Sequence, residues 1–235
     1  MNIVKKIRII PRPISSIYNH KNINLYKLHN DKSYIGVDEA GRGPLLGRVY
    51  VAAVYYEKPI RVPTDIIIAD SKILKPKEIA LAADFIMSTA TKYSVKYKTE
   101  QEIDKYNIYK ATMQGMKEAI NDIYKTEDNV ETVLIDGDKW PIEYSNENLN
   151  YYTIIQGDSK YFNIACASIL AKYFRDKYIN DLCDMNPELD KYNIRSNKGY
   201  GAKVHMDALK TYGPSKFHRM SYKPCAANIK INDYE

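Results

Sequence analysis

The segment Tyr34 to Gly47, YIGVDEAGRGPLLG, constrains this chain more than any other. The apolar stretch Ser33 to Val37 reads as a buried strand, and it runs into two adjacent carboxylates, Asp38 and Glu39, then Gly41, Arg42 and Gly43. Neighbouring side chains of a regular strand leave opposite faces, so both carboxylates serve one site only where the chain bends. Glycines permit such a bend at little cost. The same arrangement recurs downstream: Val133-Leu134-Ile135 runs into Asp136-Gly137, and a β-branched stretch leads through Gly157 to Asp158. An Asp-Gly turn or a helix cap would account for either aspartate alone. Acidic groups at the ends of buried strands, however, lie where the active sites of open α/β sheets gather.

The rest of the pattern supplies the sheet and its cover. Arg48 to Tyr56, Tyr93 to Thr99, Thr132 to Ile135 and Tyr152 to Ile155 read as strands. Helical spacing begins at Lys75-Pro76 and continues through Ile79, Ala82, Ala83, Ile86 and Met87. It returns over Glu102 to Tyr124, over Tyr161 to Met185, and over Lys203 to Tyr212. Ala165, Ala167, Ser168 and Ala171 give the third helix a small-residue side suited to close packing on a sheet. Strands followed by alternating strands and helices predict an α/β chain with a mixed sheet flanked by helices. There is no internal repeat and no glycine-rich linker.

Charge narrows the function classes. The 235 residues carry a net charge of +6 at pH 7, and six basic side chains with no acidic one fall within residues 1 to 30. Residues 31 to 194 hold 21 basic and 26 acidic groups, whereas 195 to 230 hold eight basic groups against Asp207 alone. An acidic centre beside a basic face suits a polyanion held over metal ions. Cys166, Cys183 and Cys225 form no CxxC pair, which argues against a disulfide framework or a zinc knuckle and for a reducing, cytoplasmic setting. The N-terminus lacks the continuous apolar stretch of a secretory signal. No apolar run approaches the roughly 18 residues of a membrane span, so no membrane partner is expected. The 22 tyrosines, with many Lys, Asn and Ile, read as codon bias.

Taken together, the motifs resemble the ribonuclease HII (type 2 ribonuclease H) family. DEAGRGPL, ADSK at Ala69 to Lys72, IDG at Ile135 to Gly137 and GDSK at Gly157 to Lys160 appear in the family's order. ASILAKYFRD at Ala167 to Asp176, KGYG at Lys198 to Gly201 and HRMSY at His218 to Tyr222 continue it. The resemblance implies a ribonuclease H-like fold with a C-terminal helical segment. It also implies a basic extension over residues 1–32, a catalytic domain over 33–222 and a tail over 223–235. Asp38, Glu39, Asp136 and Asp158 are then the metal-binding, catalytic carboxylates. Hard Mg²⁺ or Mn²⁺ ions prefer such oxygen ligands, and clustered carboxylates need a cation. Two ions about 4 Å apart would activate water and stabilise the leaving oxygen.

The implied substrate is an RNA–DNA hybrid, including duplex DNA with a single embedded ribonucleotide, cut to 5′-phosphate and 3′-hydroxyl ends. Gly41, Arg42, Gly43 and Tyr200 would sense the 2′-hydroxyl and its flanking sugar. Lys72, Lys160, Lys172 and Arg175 are the expected phosphate contacts, with Lys198, Lys203, Lys216 and Arg219 in the basic tail. His218 and Arg219 have the alternative role of tying that tail to the domain. A monomer is expected. Three positions depart from the family pattern: Arg48 where proline is usual, Gln156 where a lysine often stands, and Ala202 where threonine often follows GYG. Two rivals share the fold, a non-catalytic hybrid-binding protein and another ribonuclease H-like nuclease. Four carboxylates facing phosphates argue against the first, and GRG with KGYG against the second.

Overall fold

The computed structural model describes residues 34–58 and 60–229, together with the strand backbones Ser15–Asn19 (β1) and Ile23–Lys27 (β2). These two strands pair as an antiparallel ladder, Ser15 opposite Lys27, within the basic extension. The remainder of residues 1–33 and residues 230–235 lie outside the described residues.

The main sheet has the order β5-β4-β3-β6-β7. Its members are β3 (Tyr34–Ala40), β4 (Val49–Tyr55), β5 (Lys92–Lys98), β6 (Thr132–Asp136) and β7 (Asn150–Ile154). Antiparallel pairing joins β5, β4 and β3, and parallel pairing joins β3, β6 and β7. A short link joins the antiparallel neighbours β3 and β4, whereas the parallel neighbours β3 and β6 are separated in sequence by two strands and their helices.

The helices are α1 (Pro76–Thr89), α2 (Glu100–Tyr106), α3 (Ile108–Tyr124), α4 (Phe162–Met185), α5 (Ile194–Asn197), α6 (Lys203–Tyr212) and α7 (Lys223–Ala226). One face of the sheet packs α1 and α4 through Ala52, Val54, Ile79, Ala83, Ile86, Ala165 and Ile169. The other packs α3 through Ile35, Val37, Val133, Ile135, Met116 and Ile120. Full burial of each larger aliphatic side chain contributes about 1.5–3 kcal/mol. The small-residue side of α4 does what its composition predicts. A Cβ on Gly36 would stand 2.2 Å from the Asn163 carbonyl carbon, so strand and helix backbones touch there and only glycine fits. The C-terminal half of α4 leaves the sheet and builds a third core with Leu46, Ile179, Leu189, Tyr192, Ile194 and Leu209.

Two expectations are corrected. The helix over Glu102 to Tyr124 is two helices, because Asn107 adopts φ 67° and its Oδ1 accepts from the Lys110 N–H at 3.0 Å, starting α3 afresh. Nor does the chain bend between Asp38 and Glu39. β3 continues in register to Ala40, opposite Tyr50, and the turn comes at Gly41 with φ +98°.

Candidate active site

Strand alternation places Asp38 on the sheet face that carries α4, in line with Gly36, and Glu39, near the end of the strand, lines a cleft with Lys72, Ser168 and Lys172. Parallel pairing sets Val37 beside Ile135, so Asp136 ends β6 next to Asp38. Asp158 arrives from the single 3₁₀ turn Gly157–Ser159 that joins β7 to α4. Carboxylate oxygens of Asp38, Asp136 and Asp158 lie within 4.8 Å of one another, and Asp38 and Asp158 are buried. Glu39, expected as the fourth member, is not in that group. Its carboxylate sits at the rim of an adjoining cleft, 3.3 Å from the Arg42 guanidinium.

Bringing these charges together has an electrostatic cost. Burial, then the charges of Glu39 and Asp136, hold the Asp38 carboxyl well above the usual carboxylate range. Asp136 is raised by burial and by Asp158, and the Gly157 N–H, donating at 2.6 Å, offsets part of this. Glu39 is raised by burial, against the pull of Arg42. Ser168 bonds Asp38 and is itself 2.9 Å from the Ser71 hydroxyl. Lys72 supplies a compensating cation, with Nζ 2.9 Å from Asp158 Oδ2 and 3.5 Å from Asp70. Clustered oxygen donors, with the charged forms of Asp38 and Asp136 disfavoured and one lysine against the group, fit a hard divalent cation.

Beside the triad opens a cleft of about 460 Å³, lined among others by Glu39, Arg42, Gly43, Lys72, Lys172 and Tyr200. The GRG turn and the KGYG loop form its two lips. Leu45 N–H bonds the Gly199 carbonyl at 2.8 Å, and the half-exposed Tyr200 ring lies 3.4 Å from where a Gly43 Cβ would stand. Lys198 at φ 53° and Gly199 at φ +81° turn the loop so that Tyr200 faces Gly43 rather than the core.

The expected phosphate contacts divide. Lys72 and Lys172 line the cleft, the latter paired with Asp176 at 2.7 Å. Lys160 donates instead to the Ile155 carbonyl at 2.6 Å. Arg175 is buried; its Nη2 donates to the Lys198 carbonyl at 2.7 Å and its stem lies against Gly41, so it ties the two lips together. Arg219 is fully buried and donates to the carbonyls of Gly41, Arg42, Pro44 and Gly47 at 2.7–3.0 Å, the tying role rather than the phosphate role. Of the departures, Arg48 places its guanidinium over the Tyr97 and Tyr178 rings at 4.1 and 4.7 Å. Gln156 is exposed at φ 55°, and Ala202 begins α6 without a side-chain cap.

Sequence reasoning missed Ser71 and Ser168 as polar contacts of the site. It also missed the His205–His218 pair, joined through Nε2 atoms at 2.9 Å. The HRMSY and KGYG motifs carried that signal, but nothing in a linear sequence says that a histidine on α6 meets one thirteen positions later.

A family model described as Ribonuclease HII matches residues 35–225. The Ribonuclease HII of Caldicellulosiruptor bescii is 42% identical over 187 residues, covering 80% of this chain and 84% of that protein. Among solved structures, ribonuclease H2 from Pyrococcus horikoshii superposes with a TM-score of 0.68 at 24% identity, covering 83% of this chain and 96% of that one. A structure described as Bst-RNase HIII in complex with Mn²⁺ gives 0.64 at 18% identity, covering 84% and 69%. Both share the mixed sheet flanked by helices.

Proposed function

This chain belongs to the ribonuclease HII family and is therefore an endonuclease, a hydrolase acting on RNA–DNA hybrids; from that premise we propose that it also incises duplex DNA at a single embedded ribonucleotide, in a metal-dependent reaction. The observation that carries the reading is the convergence of three aspartates beside a cleft whose lips are GRG and Tyr200. Residues 33–222 form the catalytic unit in this reading, with 1–32 a basic extension and 223–235 a tail.

Asp38, Asp136 and Asp158 would hold the divalent cations, Mg²⁺ or Mn²⁺, whose chemistry there would be to activate water and to offset charge on the leaving 3′-oxygen. Glu39, a fourth carboxylate at the rim, can join them by leaving Arg42, an exposed pairing that contributes little. The Gly41 to Gly43 backbone approaches the ribose, where its polar groups meet a 2′-hydroxyl that deoxyribose lacks. Tyr200 presents its ring to the neighbouring sugar from the opposite lip. Lys72 and Lys172 neutralise phosphate without reading bases, so cleavage follows the sugar and not the sequence. Arg175 acts as a positioning residue, consistent with its burial.

The test uses three substrates, duplex DNA with one ribonucleotide, a long hybrid, and single-stranded RNA, each with Mg²⁺, Mn²⁺ or chelator. Scission 5′ of the ribonucleotide, lost in chelator, is expected. Asp136→Asn should lower it by at least about 10²-fold, beyond the 10–100-fold typical of groups that merely support a ligand. Binding without metal-dependent scission would leave a hybrid-binding protein instead.

A further inference from the structure

The buried histidines take no part in this chemistry, yet they lie directly behind one lip of the cleft. His205 on α6 is fully buried, with Nδ1 2.9 Å from the Tyr200 carbonyl and Nε2 2.9 Å from His218 Nε2. His218 Nδ1 stands 2.8 Å from the Ser215 N–H and 2.9 Å from its hydroxyl. The same His218 bridges Leu46, one residue beyond the Leu45 that bonds the KGYG loop.

These contacts admit one neutral arrangement of protons. A carbonyl only accepts, so His205 must carry its proton on Nδ1 and donate to Tyr200. A backbone N–H only donates, so His218 Nδ1 must be bare and its proton must sit on Nε2. That proton points at His205 Nε2, which is bare because its own proton is on Nδ1. A directed chain therefore runs from Ser215 through His218 and His205 to the Tyr200 carbonyl. An additional proton on either ring would set N–H against N–H inside a buried contact. The groups facing the pair are the Tyr192 ring, at 4.9 Å from His218 and 5.9 Å from His205, and the Ser215 hydroxyl, with Arg219 next in sequence. The Tyr192 hydroxyl is itself engaged, donating to the Gly213 carbonyl at 2.7 Å. Burial accordingly lowers the pKa of both histidines, that of His218 to about 4.

We propose that His205 and His218 are positioning residues for Tyr200, passing the fixed place of the C-terminal HRMSY segment to the substrate-contacting loop through one directed hydrogen-bond chain. Arg219, next to His218, fixes the GRG lip through four carbonyls, so a single segment sets both sides of the gap across which Gly43 and Tyr200 face each other. The inference rests on the reading of Tyr200 as a sugar contact.

The test compares His205→Asn with His205→Gln in the full chain, on duplex DNA carrying one ribonucleotide. The Asn amide can take the place of Nδ1–H and keep the bond to Tyr200, whereas the longer Gln amide reaches the Nε2 side and leaves the carbonyl bare. His205→Gln should raise KM about fivefold to tenfold, the size of one lost hydrogen bond, with kcat within about twofold, and His205→Asn should recover only part of it, because the His218 Nε2–H then has no acceptor. In a Tyr200→Ala background His205→Gln should add nothing further. Equal KM for both variants, or effects that follow only melting temperature, would overturn the positioning role while leaving the Tyr200 reading intact. A Tyr200→Ala enzyme with unchanged KM and substrate preference would instead overturn the reading itself. Nitrogen NMR of the wild-type protein keeps the inference testable where a variant does not fold. It should find the proton on Nδ1 of His205 and on Nε2 of His218, and the opposite tautomer at His205 would sink the chain.

Discussion

The acidic triad and the C-terminal polar segment stand on either side of the same cleft, and both bury charge, but they do so in opposite ways. Arg219 is fully buried, and its guanidinium is surrounded by the carbonyls of Gly41, Arg42, Pro44 and Gly47 and by the Tyr222 hydroxyl. Asp38, Asp136 and Asp158 face one another, with Lys72 as a partial counter-charge and raised pKa values at Asp38 and Asp136. Satisfied burial makes a scaffold; unsatisfied burial stores a preference for a cation. The difference separates side chains that fix the lips from carboxylates that repel one another.

The largest expected effect comes from breaking the satisfied side. Arg219→Ala leaves several carbonyls without donors and opens a cavity where the largest fully buried side chain stood. A loss of about 3–5 kcal/mol is expected in denaturant unfolding. A loss under about 1 kcal/mol would mean that water replaces those donors and that the segment is no scaffold.

Acidity should act on the two regions with opposite sign. In chelator, the raised folded pKa values of Asp38, Glu39 and Asp136 mean that the folded state binds more protons than the unfolded one. Their stability contribution is therefore present at low pH and is lost as pH rises from about 4 through the folded values. His218, depressed from 6.5 to about 4, behaves conversely: stability is lost as pH falls across that window, by up to about 3 kcal/mol. Melting curves against pH should show both limbs. Asp38→Asn should flatten the carboxylate limb and raise the chelated melting temperature while abolishing scission. A lowered melting temperature in Asp38→Asn would contradict the stored repulsion.

The smallest effect concerns Gln156, beside the triad, which holds a left-handed backbone at φ 55°. Gln156→Gly should relieve strain and stabilise by up to about 1 kcal/mol, with scission within about twofold of the parent. A loss of activity without a change in stability would instead place Gln156 among the groups that touch substrate.

How much of this was legible in the sequence differs between the same two regions. The strands, the helix faces and the small-residue side of α4 followed from local periodicity. Each of the three aspartates follows an apolar run, and it was the ordered motifs around them, resembling one family, that set them apart from ordinary turn or cap residues. Glu39 came in with the family resemblance, and in the structure its carboxylate lies at the cleft rim beside Arg42, outside the group of three. Arg175 and Arg219 admitted either a phosphate or a structural role, and the fold buries both against backbone carbonyls of distant loops. Asn107, unremarked in a helical pattern, divided one helix into two by capping the second.

By itself, the sequence determined the class of fold and the family, since hydrophobic period and short motifs are properties of neighbours along the chain. Tertiary structure alone decided which carboxylates converge, which cations are scaffold and how His218 and His205 reach Tyr200. Those outcomes depend on register and on contacts between residues far apart in sequence, as between Arg219 and Gly41, 178 positions apart. Burial and hydrogen-bond satisfaction at such separations are set by the packed whole and not by any local stretch.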